Sequence, residues 1–368
     1  MDRPALMSEQ LAKTFRTILK GSPTGDVRRL ARMVRRASAA REAVLADFGV
    51  KVPEMCFFSV TWECNLECAG CYARGLPTSG NLTTDEIERI LRETTSCGTV
   101  LYVIAGGEPL TVPGLLDTLG RVGQGIFMVF TNGTLLDDNA VSTIIDAGNI
   151  LPVISIEGES ADTDDRRGAG TGEAVAHAMN RLKEARVPFA YSTMVTHDNL
   201  DLVAGAEYQR TMWDAGARFG FLVDYLPVPG SHVPGLELTA EDRDRKRELV
   251  SARIAEARPL LLNFPEAEYR HGSCMSAGAG FVHISATGDI EPCVFSHYST
   301  HNLRATTYLA ALDSPFFQSI RQTFAGRDNP TGGCMLLQYD DEVAAIADVH
   351  LAQRTGPATQ VSAELAMA

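Results

Sequence analysis

The stretch that decides the fold is Cys64-Asn65-Leu66-Glu67-Cys68-Ala69-Gly70-Cys71-Tyr72, near the end of the first fifth of a 368-residue chain. Three thiols at the spacing C-x3-C-x2-C can face one point, as a loop around a cubane of iron and sulfide requires. Three thiolates ligate three irons of a [4Fe–4S] cluster and leave the fourth iron open to a small chelating ligand. The alternatives are a structural zinc site, which would want a fourth Cys or His close by, and a disulfide framework, although three cysteines cannot pair among themselves.

Length and composition suit two domains, or one domain with appendages. The hydrophobic content of 45% and charged content of 21% are ordinary for a globular protein. No run of about 18 apolar residues predicts a transmembrane helix, and the N-terminus lacks the pattern of a signal peptide. Eight cysteines without secretory features indicate a reducing cytoplasm and metal ligation. The net charge of −13 argues against a general nucleic-acid binder.

The charge is unevenly distributed along the chain. Residues 1–42 hold ten Lys and Arg against four Asp and Glu, which makes this segment +6 and the remainder −19. From Asp26 to Leu45, apolar residues recur at helical spacing and arginines occupy the intervening faces. We therefore predict a basic helical segment within residues 1–50. It either packs on the acidic body of its own protein or makes peripheral contact with an anionic membrane, an acidic peptide or an acidic partner.

Strand-like and helical stretches alternate about six times after this segment, which is typical of a parallel α/β sheet or barrel. Strands are predicted at 51–61, 100–104, 126–130, 153–156, 189–195 and 219–226. Helices are predicted at 83–97, 137–147, 172–185 and 200–215. A Pro/Gly-rich exit at 227–235 precedes a charged helix over 237–257. The predicted domains are 1–50 (basic segment), 51–235 (barrel), 236–265 (linker helix), 266–340 (second domain) and 341–368 (tail, partly disordered).

Polar motifs follow the predicted strands at the edge where ligands bind in α/β proteins. Gly106-Gly107-Glu108-Pro109 follows the second strand, where two glycines let the backbone approach a ligand and Glu108 offers a carboxylate to an ammonium group. Thr131-Asn132-Gly133-Thr134 ends the third strand. Ser155 and Glu157 share one side of the fourth strand, so either can reach one ligand, and a salt-bridging or strand-end role is the alternative.

These motifs together resemble the radical S-adenosylmethionine (SAM) enzymes. The resemblance implies a partial (β/α)6 TIM-like barrel in which Cys64, Cys68 and Cys71 hold a [4Fe–4S] cluster whose open iron is chelated by SAM. The usual Asp of the family is Glu157 here, and the usual His is Thr163. Of the adjacent Arg166 and Arg167, only one is expected to bind a carboxylate. The residues implied in cofactor binding are Tyr72, Gly106, Gly107, Glu108, Ser155, Glu157, Arg167 and Thr193.

A second group of cysteines comprises Cys274, Cys293 and Cys334. A hairpin-like run over 281–290 suits a turn that brings the first two together. The pattern Cys…Gly-Asp-x-x-Pro-Cys resembles the SPASM and twitch extensions of radical SAM proteins, which implies a small C-terminal α+β twitch-like domain with an auxiliary [4Fe–4S] cluster. Its fourth iron is either open or bound by a non-Cys group; loss of the cluster, or zinc in its place, is the alternative. The candidate fourth ligands are His297, His301 and Asp340, while His283 is interpreted as structural.

The resemblance implies an enzyme that cleaves SAM reductively to methionine and a 5′-deoxyadenosyl radical, which abstracts hydrogen from a substrate. The class would be an oxidoreductase or a carbon-centred radical transferase or cyclase. A small natural product or cofactor precursor is the expected substrate, with a ribosomal peptide or a membrane lipid as alternatives. A flavodoxin- or ferredoxin-type protein is the expected electron donor. A non-catalytic iron–sulfur protein is the alternative of another class, and the sequence identifies no catalytic residue.

Overall fold

The computed structural model of the chain describes residues 27–228, 230–256, 260–265, 274–327, 329 and 333–357. The first part of the predicted basic segment, residues 1–26, and the end of the predicted tail, residues 358–368, lie outside the described residues. No helix within the described ranges is long and apolar enough to cross a membrane.

One sheet of nine strands organises the molecule, in the spatial order β7-β6-β5-β4-β3-β2-β1-β8-β9. The strands from β1 to β7 pair in parallel, each with its neighbour in the chain, as buried apolar runs joined by helical crossovers should. Six of them are the predicted strands, and β7 is an additional one. Their bounds are β1 (Met55–Thr61), β2 (Leu101–Gly106), β3 (Ile126–Thr131), β4 (Ile150–Ser155), β5 (Phe189–Val195), β6 (Ala217–Asp224) and β7 (Leu260–Phe264).

Helices between these strands cover the outer face of the sheet. The helix after β1 begins at the predicted cap, where Thr83 and Glu86 form a capping box. The predicted helix over 200–215 is instead two helices, because Gly205 has an extended backbone and packs against the Asp201 carbonyl. The bounds are α1 (Val27–Phe48), α2 (Thr84–Ser96), a 3₁₀ turn (Pro109–Thr111), α3 (Leu115–Val122), α4 (Asp138–Ala147), α5 (Ser160–Arg167), α6 (Thr171–Glu184), α7 (Leu200–Val203), α8 (Ala206–Ala215) and α9 (Ala240–Glu256).

Helix α1 lies on the opposite, inner face of the sheet. Its residues Leu30, Met33 and Ala37 are buried in one apolar cluster with the first residues of β2, β3 and β4. Arg29 donates to the carbonyl of Ala147, the last residue of α4, at 2.8 Å, and Arg41 donates to the carbonyl of Gly98, in the loop that precedes β2, at 2.6 Å. The basic helix therefore packs on its own protein at the amino ends of the strands, while Arg28, Arg32, Arg35 and Arg36 on its other face are exposed.

The inner face curves strongly enough for side chains to meet across it. Phe130 on β3 and Phe221 on β6 have ring centroids 5.1 Å apart, although β4 and β5 separate their strands in the sheet. Such a contact is possible only if the sheet bends into part of a barrel. The architecture is the predicted partial TIM-like barrel.

The C-terminal part shares this sheet. Strand β8 (Phe281–Ile284) pairs in parallel with β1, and the predicted hairpin continues to β9 (Ile290–Glu291). Beside them lie β10 (Tyr298–Ser299), β11 (Gln353–Arg354), α10 (Tyr308–Leu312), α11 (Pro315–Phe324), α12 (Met335–Gln338) and α13 (Asp340–Val349). The domain boundaries given above stay predictions.

Candidate active site

The cysteine loop follows β1 at the carboxyl edge of the sheet. Cys68 is buried, Cys71 half-buried and Cys64 exposed, so the loop presents one thiol outward and two toward the protein. Gly70 has φ +65°, and an added Cβ would lie 2.8 Å from the Tyr225 ring. Both the positive φ and the Tyr225 ring therefore exclude a side chain at position 70.

The Gly-Gly motif at the end of β2 lies directly against the chain that enters the cysteine loop. Gly107 N donates to Thr61 O at 2.7 Å, and Glu108 N donates to Glu63 O at 2.9 Å. An added Cβ would lie 2.1 Å from Thr61 O at Gly106 and 2.0 Å from Glu63 O at Gly107. The two glycines were predicted to let the backbone approach a ligand. In the structure they let two backbones approach each other, which ties this motif to the loop.

The Glu108 carboxylate is buried, with 1% of the residue exposed, and three protein groups donate to it. Oε1 accepts from Leu110 N at 3.0 Å and from Thr131 Oγ1 at 2.7 Å, and Oε2 accepts from Asn132 N at 2.7 Å. Burial raises the pKa of Glu108, and these hydrogen bonds act in the opposite direction. The carboxylate joins the turns after β2 and β3, with an acceptor position left on Oε2.

The turn after β3 also contacts the cysteine loop. Asn132 Nδ2 donates to Asn65 Oδ1 at 2.9 Å, and Asn65 Nδ2 donates to Thr134 Oγ1 at 2.8 Å. Asn65 lies between the first two cysteines and was not among the predicted site residues. Its amide accepts from one residue of the turn and donates to another, which fixes the first half of the loop.

The other half of the loop is held by the end of α5. Ala69 N donates to Arg166 O at 3.0 Å, and Arg166 Nε donates back to Ala69 O at 3.2 Å. Both Arg166 and Arg167 contact the Glu157 carboxylate, whereas only one arginine was expected to bind a carboxylate. Both can do so because they are consecutive residues at the helix end, beside the buried Glu157. Burial raises the pKa of Cys68, and the two guanidiniums act against this rise, Arg167 most strongly.

The remaining predicted cofactor residues do not all lie on the same side of the sheet. The Tyr72 hydroxyl accepts from Gly106 N at 3.2 Å, and Ser155 ends β4 on the inner side with Glu157. Thr193 is fully buried on the helix-facing side of β5, where its hydroxyl lies 3.2 Å from the Tyr208 hydroxyl. The structure thus brings Tyr72 and Ser155 to the carboxyl edge and turns Thr193 away from it.

The residues of the loop fit an iron–sulfur cubane. The thiols are close enough that Cys68 and Cys71 each raise the pKa of Cys64, after burial and Glu108. No group of three His, Cys, Asp or Glu side chains within the described residues could hold a single metal ion. A cubane binds one thiolate per iron, so its ligands stand farther apart than those of one ion. Three thiols with two guanidiniums alongside match that donor set and the negative charge of a thiolate-ligated cluster.

The second group of cysteines lies in the C-terminal part of the same apolar core. Cys293 and Cys334 are buried and Cys274 is half-buried. Ala277 N donates to Pro292 O at 2.9 Å, which brings the segment after Cys274 against the one before Cys293. Beside Cys293, the buried Ser296 hydroxyl has no hydrogen-bond partner in the described part of the chain. An orphaned donor fits a nearby cluster, whose sulfides accept hydrogen bonds.

The three candidate fourth ligands have protein partners or positions of their own. His297 Nδ1 lies 3.1 Å from Glu291 Oε2, and His301 Nδ1 lies 2.8 Å from Thr300 Oγ1. Asp340 begins α13. The ligand set of this second site stays a prediction.

The decisive comparison is with a family model. Residues 58–203, from β1 through α7, match the model described as the Radical SAM superfamily. These residues form a radical SAM domain. The [4Fe–4S] cluster and SAM are the cofactors of this family, and the matched range contains both the cysteine loop and the Gly-Gly motif.

Curated relatives extend this similarity beyond the matched domain. The chain is 27% identical to the AdoMet-dependent heme synthase of Oleidesulfovibrio alaskensis, over 75% of this chain and 81% of that protein. It is 37% identical to the AdoMet-dependent heme synthase of Methanosarcina barkeri over 158 residues, which are 40% of this chain and 44% of that protein. It is 27% identical to the sporulation killing factor maturation protein SkfB of Bacillus subtilis, over 66% of this chain and 60% of that protein.

A solved structure has the same fold. Streptococcus suis SuiB bound to S-adenosylmethionine superposes with a TM-score of 0.65 at 18% identity, over 77% of this chain and 71% of that chain. At this identity the likeness concerns the fold. The chain therefore shares the fold of SuiB. The auxiliary cluster at the second group of cysteines stays a prediction.

Proposed function

We propose that this radical SAM enzyme binds its SAM cluster through Cys64, Cys68 and Cys71 and abstracts hydrogen from a small-molecule substrate. The observation that carries the proposal is the direct bonding of two strand ends and one helix end to the cysteine loop and the chain that enters it. The β2 turn bonds to Thr61 and Glu63, the β3 turn to Asn65, and α5 to Ala69. These contacts gather the groups that can recognise SAM around one loop.

Particular residues of the chain would hold SAM. Glu108 has an acceptor position for the SAM ammonium group beside the Gly106 and Gly107 backbone, where a charge-assisted hydrogen bond is strong. Ser155 is the hydroxyl on the ribose side. Glu157 already accepts from Arg166, Arg167 and Met194 N, so it would reach a ribose only by sharing those donors. Its main role in the proposal is to hold the two arginines beside the cluster.

When bound, the cluster supplies the electron that cleaves SAM to methionine and the 5′-deoxyadenosyl radical. The chain's task is to orient SAM and keep water and stray hydrogen donors away. The meeting of Phe130 and Phe221 closes the barrel interior below the carboxyl edge with an apolar floor. These phenylalanine side chains have no phenolic O–H or S–H bond from which a radical could readily take hydrogen.

Two observations bear on the substrate. Similarity to AdoMet-dependent heme synthases over three quarters of the chain favours a small molecule such as a cofactor precursor. Similarity to the SkfB maturation protein, and the fold shared with SuiB, which has also been solved with the precursor peptide SuiA, favour a peptide as the second candidate. The proposal includes an auxiliary cluster at Cys274, Cys293 and Cys334, and a flavodoxin- or ferredoxin-type electron donor.

SAM cleavage tests the assignment of the first site. After anaerobic reconstitution and reduction, the wild-type chain should hold two clusters, about eight irons, and form 5′-deoxyadenosine from SAM. The Cys64→Ala/Cys68→Ala/Cys71→Ala variant should keep one cluster and form none. The Cys56→Ala variant is the matched control, because Cys56 is fully buried in β1 and belongs to neither group. Cleavage by the triple variant would contradict the proposal.

The substrate class can be read from the fate of deuterium. Cells that carry the gene are grown in deuterated medium, and their extract is separated into small-molecule, peptide and lipid fractions. The abstracted atom ends in 5′-deoxyadenosine, whose mass reports which fraction holds the substrate. Deuterated product with the small-molecule fraction is expected. Deuterium from the peptide fraction alone would replace the first candidate with the second, and deuterium from the lipid fraction alone would overturn both.

A further inference from the structure

A buried polar chain connects the two cysteine groups, and His283 lies at its centre. His283 is on β8 and fully buried, between Ser59 on β1 and Glu291 on β9, which are each 1% exposed. Its Nε2 lies 2.9 Å from Ser59 Oγ, and its Nδ1 lies 2.7 Å from Glu291 Oε2. Both ring nitrogens are therefore used, and both partners belong to other strands of the same sheet.

On one side this series of buried polar groups reaches the Gly-Gly motif. Ser59 pairs with Ala105 of β2, the residue before Gly106. Burial raises the pKa of Tyr72, and the neighbouring Ser59 side chain acts against that rise. Tyr72 directly follows Cys71, and its oxygen accepts from Gly106 N at 3.2 Å. Three steps thus lead from the imidazole to the backbone of the Gly-Gly motif.

On the other side this series of buried polar groups reaches the segment that carries Cys293. Glu291 precedes Cys293 by two residues, and its carboxylate also contacts His297 and Thr355. The Glu291 carboxylate therefore joins His283 to the segment that carries Cys293.

The imidazole and the two hydroxyls form a buried polar path between the hairpin and the Gly-Gly motif. The Tyr72 hydroxyl contacts both backbone groups of Gly106, because it accepts from Gly106 N at 3.2 Å and donates to Gly106 O at 3.3 Å. The groups of such a buried network polarise one another and rigidify a site.

We propose that His283 is a positioning residue for the SAM site: through Ser59 and Tyr72 it holds the Gly-Gly motif in register with the hairpin that carries Cys293. The proposal rests on the proposed function, because the register matters only if SAM and its cluster occupy the first site. His283 touches neither of them and acts through Tyr72.

The test compares three variants of the reconstituted full-length enzyme. His283→Phe keeps an aromatic ring and removes both hydrogen bonds. Ser59→Ala cuts the chain one link closer to Tyr72 with a minimal change of volume. Phe281→Leu is the matched control, because Phe281 is buried on the same strand and packs on Phe57 without joining the chain. Thermal unfolding of each variant measures the purely structural cost.

The readouts are the dissociation constant for SAM and the change that SAM causes in the electron paramagnetic resonance spectrum of the first cluster. His283→Phe and Ser59→Ala should each weaken SAM binding by roughly two- to tenfold, the worth of one uncharged hydrogen bond. The double variant should be no weaker than the worse single one, because both cut the same chain. The SAM-induced spectral change should differ from wild type in these variants and stay unchanged in Phe281→Leu.

Equal SAM affinities and spectra in Ser59→Ala and the wild type would overturn the proposal, even if His283→Phe fails to fold. If the losses of SAM affinity caused by the two substitutions are fully additive, Ser59 and His283 do not act through one series of hydrogen bonds, and the proposal is overturned. Failure of the wild-type chain to bind a cluster or SAM at all is a separate result, which would refute the proposed function and the inference with it.

Discussion

Replacement of Glu108 by Gln separates a structural role of this carboxylate from a role in binding SAM. Glu108→Gln conserves shape and changes one oxygen to an NH₂ group. The carboxylate receives three donors, of which Leu110 N–H and Asn132 N–H are fixed backbone groups and Thr131 Oγ can rotate. Either placement of the NH₂ group leaves one backbone donor without an acceptor. At Oε1 the Thr131 hydroxyl can turn to accept but Leu110 N–H loses its acceptor, and at Oε2 Asn132 N–H loses its acceptor.

The magnitude follows from that one bond. A hydrogen bond to a charged group is worth about 1.5–3 kcal/mol, and a buried donor left without an acceptor costs about 1–3 kcal/mol. The relief of a buried charge offsets part of this loss, since burial raises the pKa of Glu108. We expect a decrease of about 2 kcal/mol in the free energy of unfolding, and a fall in Tm of roughly 2–3 °C.

The assay is urea unfolding of the protein without cofactors, followed by circular dichroism under anaerobic conditions. Glu67→Gln is the control, because the Glu67 side chain is 95% exposed. If Glu108 also binds the SAM ammonium group, SAM affinity of the folded, reconstituted variant should weaken further by about 1.5–3 kcal/mol. Unfolding identical to that of Glu67→Gln would refute the argument from the three donors, whatever the SAM affinity.

Three further predictions concern other contacts. Arg166→Gln should release iron from the first cluster to a chelator roughly tenfold faster than wild type. The reason is the loss of one charged hydrogen bond to Ala69 O, which is worth about 1.5 kcal/mol. Equal release rates would contradict this. Hydrogen bonds from Arg304 lower the pKa of Glu86 from 4.5 to about 2. The ionised carboxylate therefore stabilises the fold fully above pH 4.5, and this stabilisation is lost as the pH falls toward 2. Glu86→Gln should abolish this acid-dependent loss of about 1 kcal/mol in the free energy of unfolding, measured by unfolding titrations. Thr193→Val should leave SAM affinity within about twofold of wild type while destabilising the fold by about 1 kcal/mol, and a large loss of affinity would restore Thr193 to the site.

The barrel was predictable from the sequence because its strands are continuous apolar runs with turn residues between them. Helix α5 was not predicted, since Ser160–Arg167 has almost no apolar residue and its stability comes from elsewhere. A capping box between Glu159 and Asp162 starts it, and Asp164 accepts from Gly170 N and Gly172 N beyond its end. Contacts of this kind have no periodic signature.

The site was predictable as a set of motifs and less so as a set of contacts. The motif residues Gly106 and Gly107 lie where the sequence placed them, but their nearest neighbours are backbone atoms of the cysteine loop. Arg166 holds that loop partly through its own carbonyl, which no side-chain pattern reports. His283 was interpreted as structural because it alternates with strand residues. Its partner Ser59 lies on a strand 224 positions earlier, and pairing at such a distance is invisible in local sequence.

The pairing of β8 with β1 has a consequence for how the chain can be divided. Met55 lies beside Phe281, so the first strand of the barrel acquires one of its two neighbours only after 226 further residues have been made. A chain truncated before β8 would present β1 as an open edge, with unpaired N–H and C=O groups next to the cysteine loop. Contacts between such distant segments form late in folding. The C-terminal part is thus a completing element of the barrel, and the strand before the cysteine loop and the hairpin before Cys293 belong to one sheet.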